Sequence, residues 1–160
     1  MRAFGSNGKF ISIPLETRFW PKVDKNGQIP QYRPDLGPCW AWLSGTTQGY
    51  GMFRRDKTHY CKAARICWEL TVGPIPDGLT LDHLCRNRAC VNPAHLEPVT
   101  SKENILRGTS VTALNAKKTQ CKHGHAFTPE NTYRPPGKRG GRYCKICNVL
   151  RQRKSWGQNT

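Results

Sequence analysis

Cysteine and histidine recur in this chain at spacings that suit a metal ion better than a disulfide, and this constrains the fold more than any run of apolar residues. Cys85-x4-Cys90-x4-His95 places three soft or borderline donors in one loop. Further on, Cys121-x3-His125 is followed by Cys144-x2-Cys147, two donor pairs separated by 18 residues. Closed tetrahedral zinc sites take four ligands and favour thiolate and imidazole. The first group is one donor short. Cys39, beside the tryptophans 40 and 42, is the best fourth ligand and Cys61 the runner-up. In the second group His125 is preferred to His123, because a Cys-x-His pair is tighter. Cys61 and Cys67 otherwise read as small packing residues. Such staples are needed: only 36% of 160 residues are hydrophobic, and 15 Gly and 12 Pro leave little for one large core.

The charge points to a polyanionic partner. Lys and Arg number 26 against 10 Asp and Glu, a formal net charge of +16. No apolar run approaches the roughly 20 residues of a membrane span, and the N-terminus lacks the apolar segment of a signal peptide. The expectation is an intracellular protein with no membrane partner, whose cysteines are thiols or ligands in a reducing compartment.

Along the chain, residues 1–13 read as a flexible arm. Phe19, Trp20 and Val23 fall at helical spacing, and Pro21 limits that helix to a short piece. Residues 24–38 read as loop. Two strands are expected between Cys39 and Tyr60, one around Trp40 and Trp42, one over Tyr50-Gly51-Met52-Phe53. A helix over 63–70 is stopped by Val72-Gly73-Pro74. Residues 79–108 then read as strand, loop, strand, helix, with Thr100 and Glu103 as the capping box of the helix. The class expected is α+β, with a first domain over 14–110, a polar linker over 111–117 and a basic module over 118–160.

The richest segment is Leu81-Asp82-His83-Leu84-Cys85-Arg86-Asn87-Arg88-Ala89-Cys90-Val91-Asn92-Pro93-Ala94-His95, with Glu103-Asn104 after it. Asp82 is an oxygen ligand for a hard divalent cation such as Mg²⁺ or Mn²⁺. His83 beside it can be neutral near pH 7 and deprotonate a water. Asn104, in the first turn of the capped helix, offers a second oxygen. Phosphodiester hydrolysis needs such a base and such a cation together. Adjacent residues of a regular strand face opposite sides, so the strand end is expected to twist or bulge there.

This segment resembles the HNH endonucleases of the ββα-metal (His-Me finger) fold, in particular the short phage and homing types. Cys39-Trp40-Ala41-Trp42, Gly49-Tyr50-Gly51-Met52-Phe53 and Trp68-Glu69-Leu70-Thr71-Val72-Gly73-Pro74-Ile75-Pro76 extend the likeness over roughly residues 17–108. The resemblance implies that Asp82 and Asn104 hold the catalytic cation and that His83 is the general base. Asn104 stands where the family name has its final histidine. The middle asparagine of the motif is either Asn92, which could also brace the loop, or the position of His95, which zinc also claims. Ala63-Ala64-Arg65 lacks a histidine the family often has there, but keeps Arg65 for a phosphate. Phage members often carry a C-terminal Cys-x-x-Gly-His module, which Cys121 and Gly124-His125 match.

From Lys117 to Lys154 eleven Lys and Arg face Glu130 alone, a net of +10. Basic residues interleaved with aromatics suit phosphate contact and stacking. The DNA-binding residues expected are Arg65, Arg86 and Arg88 in the first domain and Arg134, Lys138, Arg139, Arg142, Arg151, Arg153 and Lys154 in the second. The reading is thus a phage-type, monomeric DNA endonuclease acting on double-stranded DNA. Two structural zinc ions and one catalytic Mg²⁺ or Mn²⁺ complete it, with Asp82, His83, Asn92 and Asn104 as catalytic residues.

Overall fold

The computed structural model describes residues 13–137 and 141–156, with side chains as far as Arg153. The arm expected over 1–13 lies outside the described residues but for Ile13, as do Lys138, Arg139 and the side chain of Lys154. Helices and short antiparallel strands mix in the α+β manner expected, in two compact units divided after Asn104. No helix among the described residues is long and apolar enough to cross a membrane.

In the first unit, α1 (Leu15–Phe19) gives way at Pro21 to a 3-10 turn over Trp20–Lys22. β1 (Val23–Asp24) then pairs antiparallel with β2 (Ala41–Trp42) across a loop that holds one further 3-10 turn, Pro34–Leu36. β3 (Thr46–Thr47), β4 (Tyr50–Arg54) and β5 (Tyr60–Lys62) form a three-stranded sheet. Its first hairpin turns on Gln48 and Gly49, whose φ of 51° and 81° are the positive values a two-residue hairpin loop demands. Between Cys39 and Tyr60, where two strands were expected, three precede the one that starts at Tyr60, because the two threonines of β3 are too short a run to show a period. α2 (Ala63–Thr71) buries Ala63, Ala64, Ile66 and Cys67 and ends before Gly73, as Gly-Pro predicts.

β6 (Leu79–His83) and β7 (Leu96–Thr100) pair antiparallel, and α3 (Ser101–Arg107) follows. The Thr100 arm of the capping box is present: the Glu103 backbone N–H donates to Thr100 Oγ1 at 3.2 Å. Phe19, Trp42 and Phe53 make the centre of the core, with ring centroids 5.3–6.0 Å apart. Gly51 lets β4 cross the indole of Trp42, since a Cβ there would meet the ring at 2.7 Å. Val91 and Leu96 join this cluster, so the β6–β7 loop rests directly on the aromatic core.

The second unit holds α4 (Val111–Lys117), the pair β8 (Thr132–Tyr133) and β9 (Tyr143–Cys144), and α5 (Lys145–Trp156). Residues 111–117 were expected as a linker. They form a helix instead, because Ser110 caps it by accepting from the Ala113 N–H at 3.2 Å. Its polarity reflects how little it buries, Ala113 alone.

Candidate metal centres and active site

β2 runs beside the β6–β7 loop. The Trp42 N–H donates to the Ala89 carbonyl at 3.2 Å and the Val91 N–H to that of Trp40 at 2.9 Å. This carries Cys39 to Cys90. Donor atoms of Cys39, Cys85, Cys90 and His95 all lie within 4.8 Å of one another, and all four residues are buried. His95 Nδ1 stands 3.6 Å from Cys39 Sγ and 3.5 Å from Cys90 Sγ. Thiolate and imidazole on one tetrahedral zinc would stand about 3.6 Å apart at ordinary bond lengths.

His95 Nε2 lies 2.8 Å from the Leu36 carbonyl. A carbonyl only accepts, so Nε2 carries the proton and Nδ1 presents its lone pair to the sulfurs. Cys90 donates to Cys85 and holds that thiol down at about 5, and the same pairing pushes Cys90 above its ordinary range. Cys39, and not Cys61, is thus the residue that stands with the other three candidate donors. Cys61 packs against the aromatic core instead, and Cys67, its thiol pushed up to about 12 by burial, is a packing residue.

Asn92 was expected among the catalytic residues, and its amide is spent otherwise. Its Oδ1 accepts from the Ala94 N–H and its Nδ2 donates to the Pro38 carbonyl, each at 3.0 Å. It braces the loop that presents Cys90 and His95, while His95 itself belongs to the sulfur cluster.

His83 ends β6, largely buried, and its Nε2 donates to the Cys90 carbonyl at 3.1 Å. The neutral ring thus has its lone pair on Nδ1. Burial, the main cause, holds its pKa below the ordinary imidazole value. Asp82, also buried, accepts from the Arg86 guanidinium at 2.7 Å. Asn104 Nδ2 donates to Thr80 Oγ1 at 3.1 Å, which leaves its carbonyl oxygen as a donor atom for a cation. Thr80 and Asp82, two apart on β6, share a strand face. Thr80 was not anticipated from sequence, though the period of two would have found it. The pairing of β6 with β7 runs one to one through His83↔Leu96, without the bulge expected there.

Residues 61–106, which contain Asp82, His83 and Asn104 with three of the four clustered donors, match the family model described as HNH endonuclease. This stretch of the chain is similar to HNH endonucleases. It is 37% identical over 57 residues to the Uncharacterized gene 5.3 protein of Enterobacteria phage T3, covering 36% of this chain and 56% of that protein. Protein 2.8 of Escherichia phage T7 is 36% identical over 70 residues, 41% of this chain and 45% of its own length. Protein 7.7 of the same phage is 34% identical over 67 residues, covering 41% and 51%. The chain thus spans about half the length of these relatives. No solved structure matches.

The cations expected to meet DNA divide by what they touch. Arg65 reaches Glu69 at 3.3 Å, and Arg86 is engaged by Asp82. Arg88 is exposed. In the second unit Arg134, Arg151 and Arg153 are exposed. Arg142 is not a surface cation of the expected kind. Its guanidinium donates to the carbonyls of Asn115 and Lys118 and stacks 4.1 Å over the Phe127 ring, tying α4 to the rest of that unit.

The second unit also assembles its donor set. Cys121, His125, Cys144 and Cys147 lie within the same 4.8 Å limit. His125 Nδ1 is 3.5, 3.7 and 3.2 Å from the sulfurs of Cys121, Cys144 and Cys147. These lengths fit the same tetrahedral arrangement. His123 takes part only through its backbone, whose N–H donates to Cys121 Sγ at 3.4 Å.

Proposed function

We propose that the chain is a metal-dependent DNA endonuclease whose general base is His83. The observation that carries the reading is the Nε2–H bond of His83 to the Cys90 carbonyl. It leaves Nδ1 as the basic nitrogen of a ring that packing and a zinc-bearing loop hold still. His83 takes a proton from a water. The water oxygen attacks phosphorus, and the bond to the 3′-oxygen breaks, giving a 5′-phosphate and, after protonation from solvent, a 3′-hydroxyl. The buried carboxylate of Asp82 and the amide oxygen of Asn104 are hard donors that fit Mg²⁺ or Mn²⁺. When bound there, the cation supplies charge neutralisation at the phosphate and the leaving oxygen.

Two Cys₃His zinc ions are structural and do no chemistry. The second unit anchors double-stranded DNA through its exposed arginines, and a monomer cuts one strand at a time. The setting is the reducing interior of a host cell. Plasmid relaxation tests the nuclease reading. Nicking should require Mg²⁺ or Mn²⁺, stop with EDTA while zinc is retained, and vanish in Asp82→Ala. A zinc-loaded protein that binds plasmid but never nicks it is a DNA-binding protein only.

A further inference from the structure

Beside His83 the first unit holds two cations that no acid among the described residues answers. Lys62 Nζ lies 4.0 Å from the centre of the Tyr50 ring, and the Arg88 guanidinium lies 5.2 Å from the same centre. The Tyr50 ring in turn stands 5.9 Å from the imidazole of His83. Nearby and elsewhere, Asp35 pairs with Arg33, Glu69 with Arg55 and Arg65, Asp56 with His59, and Asp82 with Arg86.

Three separate elements bring these groups together. Register pairs Met52 with Lys62, which makes Tyr50 on β4 the diagonal neighbour of Lys62 on the same sheet face. Arg88 comes from the β6–β7 loop and donates to the Gln48 carbonyl at 3.3 Å, on the positive-φ turn that opens β4. Two like charges over one ring repel each other, and the ring returns only about 0.5–1 kcal/mol per cation at exposed sites. An exposed cationic pair without an acid is a poor device for stability. It is a good one for an anion.

We propose that Lys62 and Arg88, positioned by Tyr50, bind a phosphodiester of the DNA backbone next to His83. This rests on the nuclease reading above and extends it. Lys62 and Arg88 contact substrate, and Tyr50 is a positioning residue that aims them.

The test uses the full zinc-loaded chain in two independent assays. In the first, thymidylyl-thymidine, one phosphodiester with no duplex, is titrated without Mg²⁺ while the Tyr50 ring and Lys62 side-chain NMR signals are followed. A saturable shift at both is expected, lost in Lys62→Gln and in Arg88→Gln. Tyr50→Phe should retain the shift and Tyr50→Leu lose it, since phenyl keeps the π face that holds the cations. In the second, single-turnover plasmid nicking with enzyme in excess should slow by ~10-fold or more in each Gln variant, the order expected when a preorganised charge at the phosphate is lost. Lys62→Arg should restore most of the rate.

Unmoved Tyr50 and Lys62 signals, or parental nicking by the Lys62→Gln, Arg88→Gln double variant, would overturn the proposal. A saturable shift in a protein that never nicks DNA supports the anion site and removes the nuclease reading. His83-dependent nicking with no shift does the reverse.

Discussion

Replacing Cys90 by Ala removes more than one thiol. Cys90 is 0% exposed, its Sγ lies 3.5 Å from His95 Nδ1, and it accepts from the Asn92 N–H at 3.4 Å. Structural zinc contributes about 10–16 kcal/mol in small peptides, so one ligand of four is worth roughly 3 kcal/mol. The stranded Asn92 N–H adds about 1–3 kcal/mol. A total near 5 kcal/mol is comparable to the whole stability of many domains, about 5–15 kcal/mol. For a unit of about 100 residues, at 4–8 °C per kcal/mol, melting should fall by roughly 20 °C or more. Differential scanning calorimetry and Trp fluorescence follow the loss, and elemental analysis should count two zinc ions in the parent and one in the variant. A Cys90→Ala protein with two zinc ions and parental melting would refute the ligand assignment. A folded parent free of zinc would refute the staple altogether.

His83→Ala should leave duplex binding near parental and slow single-turnover nicking by about 10²–10⁴-fold, the span of general-base loss; a parental rate would assign the base elsewhere. Replacing Arg134, Arg151 and Arg153 by Gln should flatten the salt dependence of DNA affinity, the log–log slope falling by about 0.9 for each phosphate no longer neutralised. Arg142→Ala should behave differently. It should lower the stability of the second unit by about 1 kcal/mol, since its hydrogen bonds to the exposed Asn115 and Lys118 carbonyls and its contact with the Phe127 ring are lost, and leave the salt slope unchanged within error.

What was legible in the sequence was mostly local. The capping box at Thr100 and Glu103, the stop at Gly73-Pro74, and the ligand spacing of Cys85, Cys90, His95 and of the second donor set all depend on neighbours a few residues apart. Each reappears in the structure. Cys39 was within reach because a Trp-rich strand had to lie near the loop. The helix over 111–117 was missed because its stability comes from a Ser110 cap and the reach of Arg142, neither of which leaves an apolar period. Likewise, Arg142 looked like any other basic residue in a charged run. Only the fold shows its guanidinium turned onto Phe127. Tyr50 and Lys62 escaped for the same reason: the partners of Tyr50 are 12 to 38 residues away in chain, and nothing local marks them.

Cys90 links the two roles of the first unit. Its sulfur belongs to the donor cluster that compensates for a small core, and its carbonyl receives the proton-bearing nitrogen of His83. Asn92 and His95 tie the same loop to Pro38 and Leu36, and Val91 and Leu96 seat it on the aromatic core. A histidine on a free hairpin would sample several rotamers and either tautomer. Here one carbonyl selects the tautomer, and that carbonyl cannot shift without disturbing the donor cluster. On the reading proposed above, staple and base are therefore one construction, by which a chain only 36% hydrophobic can hold a base still enough for phosphodiester chemistry. Loss of the metal should accordingly disorder His83 before it unfolds the aromatic core, because Phe19, Trp42 and Phe53 contact one another directly and the loop adds Val91 and Leu96 at the edge of their cluster. Under graded chelation, the His83 ring signals in NMR should broaden while Trp42 fluorescence is still native. Simultaneous loss of both would mean that the cluster holds the core as well as the base.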